Sequence, residues 1–147
     1  MSKQIKSKAI IVDIDGTISD DRWRKHILLH DKVNWDDVQA MSRYDQPNQW
    51  CLSIIDAFMD KGYTILFVTA RNERYRKKTI EWLNCNVLAG YELFMRPIDD
   101  QSPDTHVKAT IYNQFIQPFY DVGFCIDDRE SVAQMWRDIG IACLLCE

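Results

Sequence analysis

Apolar residues in this chain fall in short, nearly unbroken runs. Five of them, Ala9–Ile14, Thr64–Thr69, Tyr91–Met95, Val122–Ile126 and Ile141–Leu145, are mostly continuous rather than alternating. Continuous runs suit strands buried on both faces, as in a parallel sheet covered by helices on its two sides. Between them the apolar positions recur at helical spacing. Pro47 can open a helix with Cys51, Ile54, Ile55 and Phe58 on one face, stopping at Gly62. Asn72 can cap a second, with Tyr75, Thr79, Trp82 and Leu83 inward. Ser102-Pro103 begins a third that carries Val107, Ile111 and Phe115. A fourth places Val132, Met135, Trp136 and Ile139 at i, i+3, i+4 and i+7 and ends at Gly140. Strands alternating with helices predict an α/β, doubly wound parallel sheet with right-handed crossovers. In such a sheet the ligand crevice lies beyond the carboxyl ends of the strands.

The polar residues that interrupt the pattern sit where that crevice would be. "DIDGT" puts Asp13 and Asp15 two residues apart at the end of the first strand, and Thr69 ends the second. Asp127 and Asp128 follow "VGFCI", and Lys108 lies near the start of the helix after "SPDTH". Unpaired buried carboxylates are among the most costly groups a fold can carry. Four at one sheet edge repel one another unless a cation sits among them. Hard oxygen donors with an open coordination sphere suggest Mg2+. A phosphate monoester brought to this edge meets the groups its hydrolysis needs. One carboxylate can attack phosphorus to form an aspartyl-phosphate. The second returns to the site only if the chain turns, which Gly16 permits. It can then protonate the leaving oxygen and later activate water. Thr69 can donate its hydroxyl to a phosphate oxygen, and Lys108 can neutralise the transferring group.

"DIDGT", "FVTAR", Lys108 and "IDDRE", in that order, resemble the four motifs of the haloacid dehalogenase (HAD) superfamily, and the likeness covers nearly the whole chain. "VTAR", Asp104 four residues before Lys108, and "IDDRESVAQMWRDIG" are similar to the 3'-phosphatase domains of phage polynucleotide kinase/phosphatases. The resemblance implies a single domain over residues 1–147, a Rossmann-like sheet of the HAD fold with a short cap or flap at about residues 18–46. It implies Asp13 as nucleophile, Asp15 as general acid/base, and Thr69 and Lys108 as phosphate ligands. It places Mg2+ on Asp13, the backbone carbonyl of Asp15 and Asp127, with Asp128 either ligating through water or holding Lys108. The substrate it implies is a phosphomonoester, with a nucleic-acid 3' end foremost. A phosphatase for nucleotides or sugar phosphates, or a non-catalytic phosphate-binding protein of the same fold, are the alternatives. No GxxxxGK[ST] loop occurs in the chain, so the kinase half of those bifunctional enzymes is not expected here. Asp15 argues against dehalogenation, which has no alcohol leaving group to protonate.

Arg71, Arg74, Arg76, Lys77 and Lys78 form a basic run after the second motif. It reads either as a solvated helix face or as a contact with substrate beyond its phosphate, with Arg71 the first candidate and Arg96 the second. In the segment from Ile18 to Gln46, Trp23 or Trp35 could stack on a base or pack the flap on the body. The net charge of −4 means that any nucleic-acid contact must be local. Five scattered cysteines, an odd number, argue for a reducing compartment. No apolar run approaches the roughly 18 residues of a membrane span, so a cytoplasmic protein with no membrane partner is expected.

Overall fold

In the computed structural model the chain runs through β1 (Ser7–Val12), β2 (Ser19–Asp20), α1 (Arg22–His30), α2 (Trp35–Ala40), β3 (Gln46–Pro47), α3 (Gln49–Asp60), β4 (Thr64–Asn72), α4 (Arg76–Asn86), β5 (Tyr91–Arg96), α5 (Asp104–Ile111), β6 (Tyr120–Asp127), α6 (Glu130–Asp138) and β7 (Cys143–Leu145). The structure describes residues 3–30, 34–88 and 90–147, the side chains of residues 28–30 excepted. Residues 31–33 of the expected flap therefore lie outside the described part.

Five strands form one parallel sheet in the order β5-β4-β1-β6-β7. Alternate residues of each strand feed opposite cores. Ile10, Val12, Ile65 and Phe67 pack with Cys51 and Ile55 of α3 and with Trp82 and Leu83 of α4. Ala9, Ile11, Leu66 and Val68 pack with Val107 and Ile111 of α5 and with Val132 and Trp136 of α6. Both faces are thus covered, which is why the strands read as continuous apolar runs. Each fully buried Ile or Leu contributes about 1.5–3 kcal/mol to the fold. The chain leaves β1 towards β4 and β5 and returns on the other side as β6, so the end of β1 is the switch point of the sheet.

Several boundaries differ from the sequence reading. Pro47 does not open α3; it pairs with Ser19 in a two-residue antiparallel ladder, and Asn48 takes the helix N-cap. Asn72 caps a single 3-10 turn, Glu73–Tyr75, and α4 starts only at Arg76. Phe115 was expected inward but is 52% exposed. After α5 the chain makes one π turn, Tyr112–Ile116, and the wider turn rotates the apolar face by one position. Ile116 is fully buried instead. Ile139 also faces outward, because α6 stops at Asp138 and Ile139 lies beyond its last turn.

The β2–β3 ladder closes the base of an inserted segment that carries α1 and α2. The segment is tied down by polar contacts: Trp82 Nε1 donates to the Asp45 carbonyl at 2.9 Å, and Asn48 Nδ2 to the Thr17 carbonyl at 2.8 Å. No helix among the described residues is long and apolar enough to cross a membrane.

Candidate active site

The chain passes from β1 into a tight loop at Asp13–Ser19. The Asp13 amide donates to the Ile126 carbonyl at 3.0 Å, which locks the start of the loop to β6. Gly16 has φ +81°, and a Cβ there would lie 2.2 Å from Asp128 Oδ2. Only glycine allows both the turn and the approach of Asp128. Asp13 is buried, and Thr17 Oγ1 donates to its Oδ2 at 3.1 Å.

Lys108, one turn into α5, is 3% exposed. Its Nζ donates to Asp13 Oδ1 at 2.9 Å and to Asp127 Oδ2 at 2.7 Å. Burial disfavours the ammonium, but Asp13 and Asp127 more than offset this, and its pKa is raised above the usual lysine value. Asp104, four residues earlier, pairs with Arg96 at 2.7 Å and with Arg129, which ties the start of α5 to β5 and to the β6–α6 loop.

Asp13, Asp127 and Asp128 each offer an oxygen within 4.8 Å of the other two. Burial, and then the charge of Asp13, push Asp127 up to about 6 and Asp128 up to about 7. These are hard carboxylate donors, close together and opening on a cavity, and they suit a hard divalent cation. The Asp15 carboxylate lies outside the cluster. Arg71 Nε reaches its Oδ2 at 2.8 Å and Arg71 Nη2 its Oδ1 at 2.7 Å, while Arg24 Nη2 donates to Oδ1 from the other side. Against the cost of burial, Arg71 and Arg24 hold the Asp15 carboxyl well below the usual carboxylate range. Its backbone carbonyl is then the group that the resemblance would put on the metal.

The sequence-predicted residues stand as follows. Asp13, Thr69, Lys108, Asp127 and Asp128 line one cavity of about 1110 Å³, with Asp15 and Arg71 also on its wall. Thr69 is buried at the end of the core part of β4, and its Oγ1 accepts from the Arg71 amide at 3.1 Å, which leaves its own O–H free to donate. Arg71 is committed to Asp15 and to Thr79 Oγ1 at 3.3 Å. Arg96 is engaged by the carbonyls of Ala70, Asp100 and Ser102 and braces loops. Of the basic run, Arg74 lines the main cavity, Arg76 pairs with Glu73 at 2.7 Å, and Lys78 lines a separate hollow of about 370 Å³. Trp35 is 68% exposed on the cavity wall, whereas Trp23, itself exposed, is tied by its Nε1 donating to Asp45 at 2.9 Å.

Arg24 was missed in the sequence. It is 4% exposed, lies in the inserted segment, and is held by Asp45 through Nε at 2.9 Å and Nη2 at 2.7 Å. Nothing local marks it, since "DRWRKH" reads as a solvated helix start; only the folding back of the insertion brings it to Asp15.

The profile of the family "Polynucleotide kinase PNKP phosphatase domain" matches residues 7–147. The chain belongs to this family of HAD-type phosphatase domains. Over 135 residues, 91% of the chain, it is 29% identical to a candidate bifunctional polynucleotide kinase/RNA ligase of Autographa californica nuclear polyhedrosis virus. A chain in the structure of the Pnkp1/Rnl/Hen1 RNA repair complex superposes on 99% of it, with a TM-score of 0.82 and 26% identity. The class C acid phosphatase of Bacillus anthracis with tungstate bound shares the fold over 97% of the chain, at a TM-score of 0.68 and 14% identity, and 67% of that protein is covered. The chain spans 18% of the viral relative and 44% of the repair-complex chain. In this phosphatase domain the motifs legible in the sequence are the residues that floor the cavity.

Proposed function

We propose that this domain is a Mg2+-dependent phosphomonoesterase that works through an aspartyl-phosphate on Asp13, and that its substrate is the 3'-phosphate of a nucleic-acid end. One observation carries the chemistry: Asp13, its Lys108 partner, Thr69 and the carboxylate cluster converge on the floor of a single open cavity. An Asp13 oxygen bonds to phosphorus as the bond from phosphorus to the leaving 3' oxygen breaks. Lys108 and the Thr69 hydroxyl stabilise the charge on the transferring phosphoryl oxygens. Asp13, the Asp15 carbonyl, Asp127 and Asp128 would hold Mg2+, whose positive charge favours the approach of the anionic phosphate to a carboxylate nucleophile.

Asp15 protonates the leaving oxygen and then takes a proton from the water that hydrolyses the intermediate. Held by two guanidinium groups it stays ionised, so one of them must shift from Asp15 to the incoming phosphate before Asp15 can carry a proton. Arg24, on the inserted segment, suits that transfer, and we read the segment as a small cap over the site. The choice of a nucleic-acid end rests on the family and on relatives named for polynucleotide kinase and RNA repair. Scattered free cysteines suit the reducing cytoplasm as its place of work.

The test is turnover of a 3'-phosphorylated oligonucleotide beside its 5'-phosphorylated isomer, the 3'-mononucleotide and a sugar phosphate, for wild type and Asp13→Asn, with Mg2+ and with chelator. The 3'-phosphorylated oligonucleotide should be the best substrate, and chelator or Asp13→Asn should stop turnover in a folded protein. Turnover by folded Asp13→Asn would remove Asp13 from the nucleophile role. Preference for the sugar phosphate would replace the nucleic-acid reading with the small-molecule one.

A further inference from the structure

Besides the ties of Arg24 and Asp45, the inserted segment meets the body of the domain at a polar contact on the cavity wall. Tyr75 Oη donates to Asp36 Oδ1, and Arg74 Nη1 stands 3.7 Å from the same oxygen. Arg74 and Tyr75 lie in the 3-10 turn that joins β4 to α4, and Asp36 lies in the first turn of α2. All three line the cavity that holds Asp13. The two donors are placed by the turn itself. Asn72 Oδ1 accepts from the Arg74 amide at 3.0 Å, and Asn72 Nδ2 donates to the Ile98 carbonyl at 2.9 Å.

We propose that Arg74 and Tyr75 form a subsite for the phosphodiester adjoining the scissile 3'-phosphate, filled in this structure by the carboxylate of Asp36 acting as a stand-in; this rests on the 3'-end reading above. A carboxylate and a phosphodiester each carry one negative charge shared over two oxygens. A phenol and a guanidinium converging on one such oxygen therefore accept either. The pair is easily opened: the side chains of Arg74 and Asp36 are 51% and 56% exposed, and ion pairs of this kind contribute only about 0–1 kcal/mol. A chain of net charge −4 has no overall field to draw a polyanion, so a cation at the rim of the catalytic cavity is where backbone contact must come from. Trp35, next to Asp36 and exposed on the same wall, offers a face for the neighbouring base. Opening the Asp36 contact would free both the subsite and the edge of α2.

The experiment compares wild type, Arg74→Gln, Arg74→Lys, Tyr75→Phe and Asp36→Asn on four substrates. These are a dinucleotide with a 3'-phosphate, the same dinucleotide with an uncharged methylphosphonate linkage, the 3'-mononucleotide and a nucleoside 3',5'-bisphosphate. Arg74→Gln should lower kcat/KM for the dinucleotide about tenfold more than for the mononucleotide or the methylphosphonate, as expected for a hydrogen bond to a charged group. The loss should appear in KM, with Arg74→Lys retaining part of it and Tyr75→Phe showing a smaller loss of the same kind. Asp36→Asn should lower KM for the dinucleotide, because the stand-in is weakened. If the bisphosphate shares the Arg74 dependence, the subsite reads the charge of any phosphate there; if only the dinucleotide does, it reads the diester; either supports it. Equal losses on all four substrates would overturn the subsite alone. Failure of wild type on every 3'-phosphate, with an aryl phosphate still hydrolysed, would overturn the 3'-end reading and the subsite with it.

Discussion

Gly16 and Asp45 show how single residues hold the site. At Gly16 a side chain would have to adopt φ +81° and would meet Asp128 Oδ2 at 2.2 Å. Gly16→Ala should cost about 1–2 kcal/mol from backbone conformation alone, read by urea unfolding. It should also weaken Mg2+ binding, read by calorimetry, because Asp128 must move away. Unchanged metal affinity would mean that Asp128 is not part of the metal site. Asp45 is a buried anchor: it accepts from Arg24 and from Trp23 Nε1, and its side chain is fully enclosed. Asp45→Ala leaves the Arg24 guanidinium with Asp15 alone, and removing one partner of a buried pair costs about 3–5 kcal/mol. A loss below 1 kcal/mol in denaturant unfolding would show that Arg24 finds another partner or solvent.

At the scale of elements, the π turn after α5 decides which residues enter the core. Ile116 is fully buried among residues of the sheet face that packs on α5 and α6, while Phe115 is 52% exposed and stacks on Phe94 with ring centroids 6.3 Å apart. Ile116→Ala should therefore destabilise by about 2–5 kcal/mol. Phe115→Ala should cost less than Ile116→Ala despite removing the larger side chain. Paired unfolding curves check this, and a larger loss at Phe115 would contradict the observed phase of the turn. The inserted segment is a different kind of element. Among the described residues its α1 and α2 are joined to the body by the β2–β3 ladder and by polar ties from Arg24, Asp36 and Asp45.

For the whole molecule, the concentration of carboxylates at one sheet edge links stability to the metal. Ions that bind the native but not the unfolded chain stabilise it by RT ln(1 + [L]/Kd), about 2.7 kcal/mol at a hundredfold excess over Kd. Melting followed by circular dichroism should show Tm rising with Mg2+ and falling back with chelator, and the rise should shrink in Asp127→Asn. An identical Tm with and without Mg2+ would remove the metal from the site. Binding of a 3'-phosphorylated strand should weaken with salt at a shallow slope, since each phosphate contact on a single strand contributes about 0.7 to it and only a few exposed cations, Lys25, Arg74 and Arg129, line the cavity among the described residues. A slope near that of a broad basic surface would point to contacts outside this cavity.

The sequence by itself determined the sheet, because strands buried on both faces must be continuous apolar runs and helices between them must show one apolar stripe. It also determined that Asp13, Thr69, Lys108, Asp127 and Asp128 meet, because in a doubly wound sheet whatever follows the strands gathers at one edge. Tertiary structure alone decided the rest. Arg24 reaches Asp15 only because the inserted segment folds back, and no spacing in a segment joined by a two-residue ladder predicts that. Arg71 and Arg96 look alike in sequence as cations near the site, yet one holds Asp15 and the other holds Asp104 and the carbonyls of Ala70, Asp100 and Ser102. The difference lies in which partners the fold leaves unsatisfied within a few ångströms, and hydrogen bonds between residues far apart along the chain are settled only when the chain has folded.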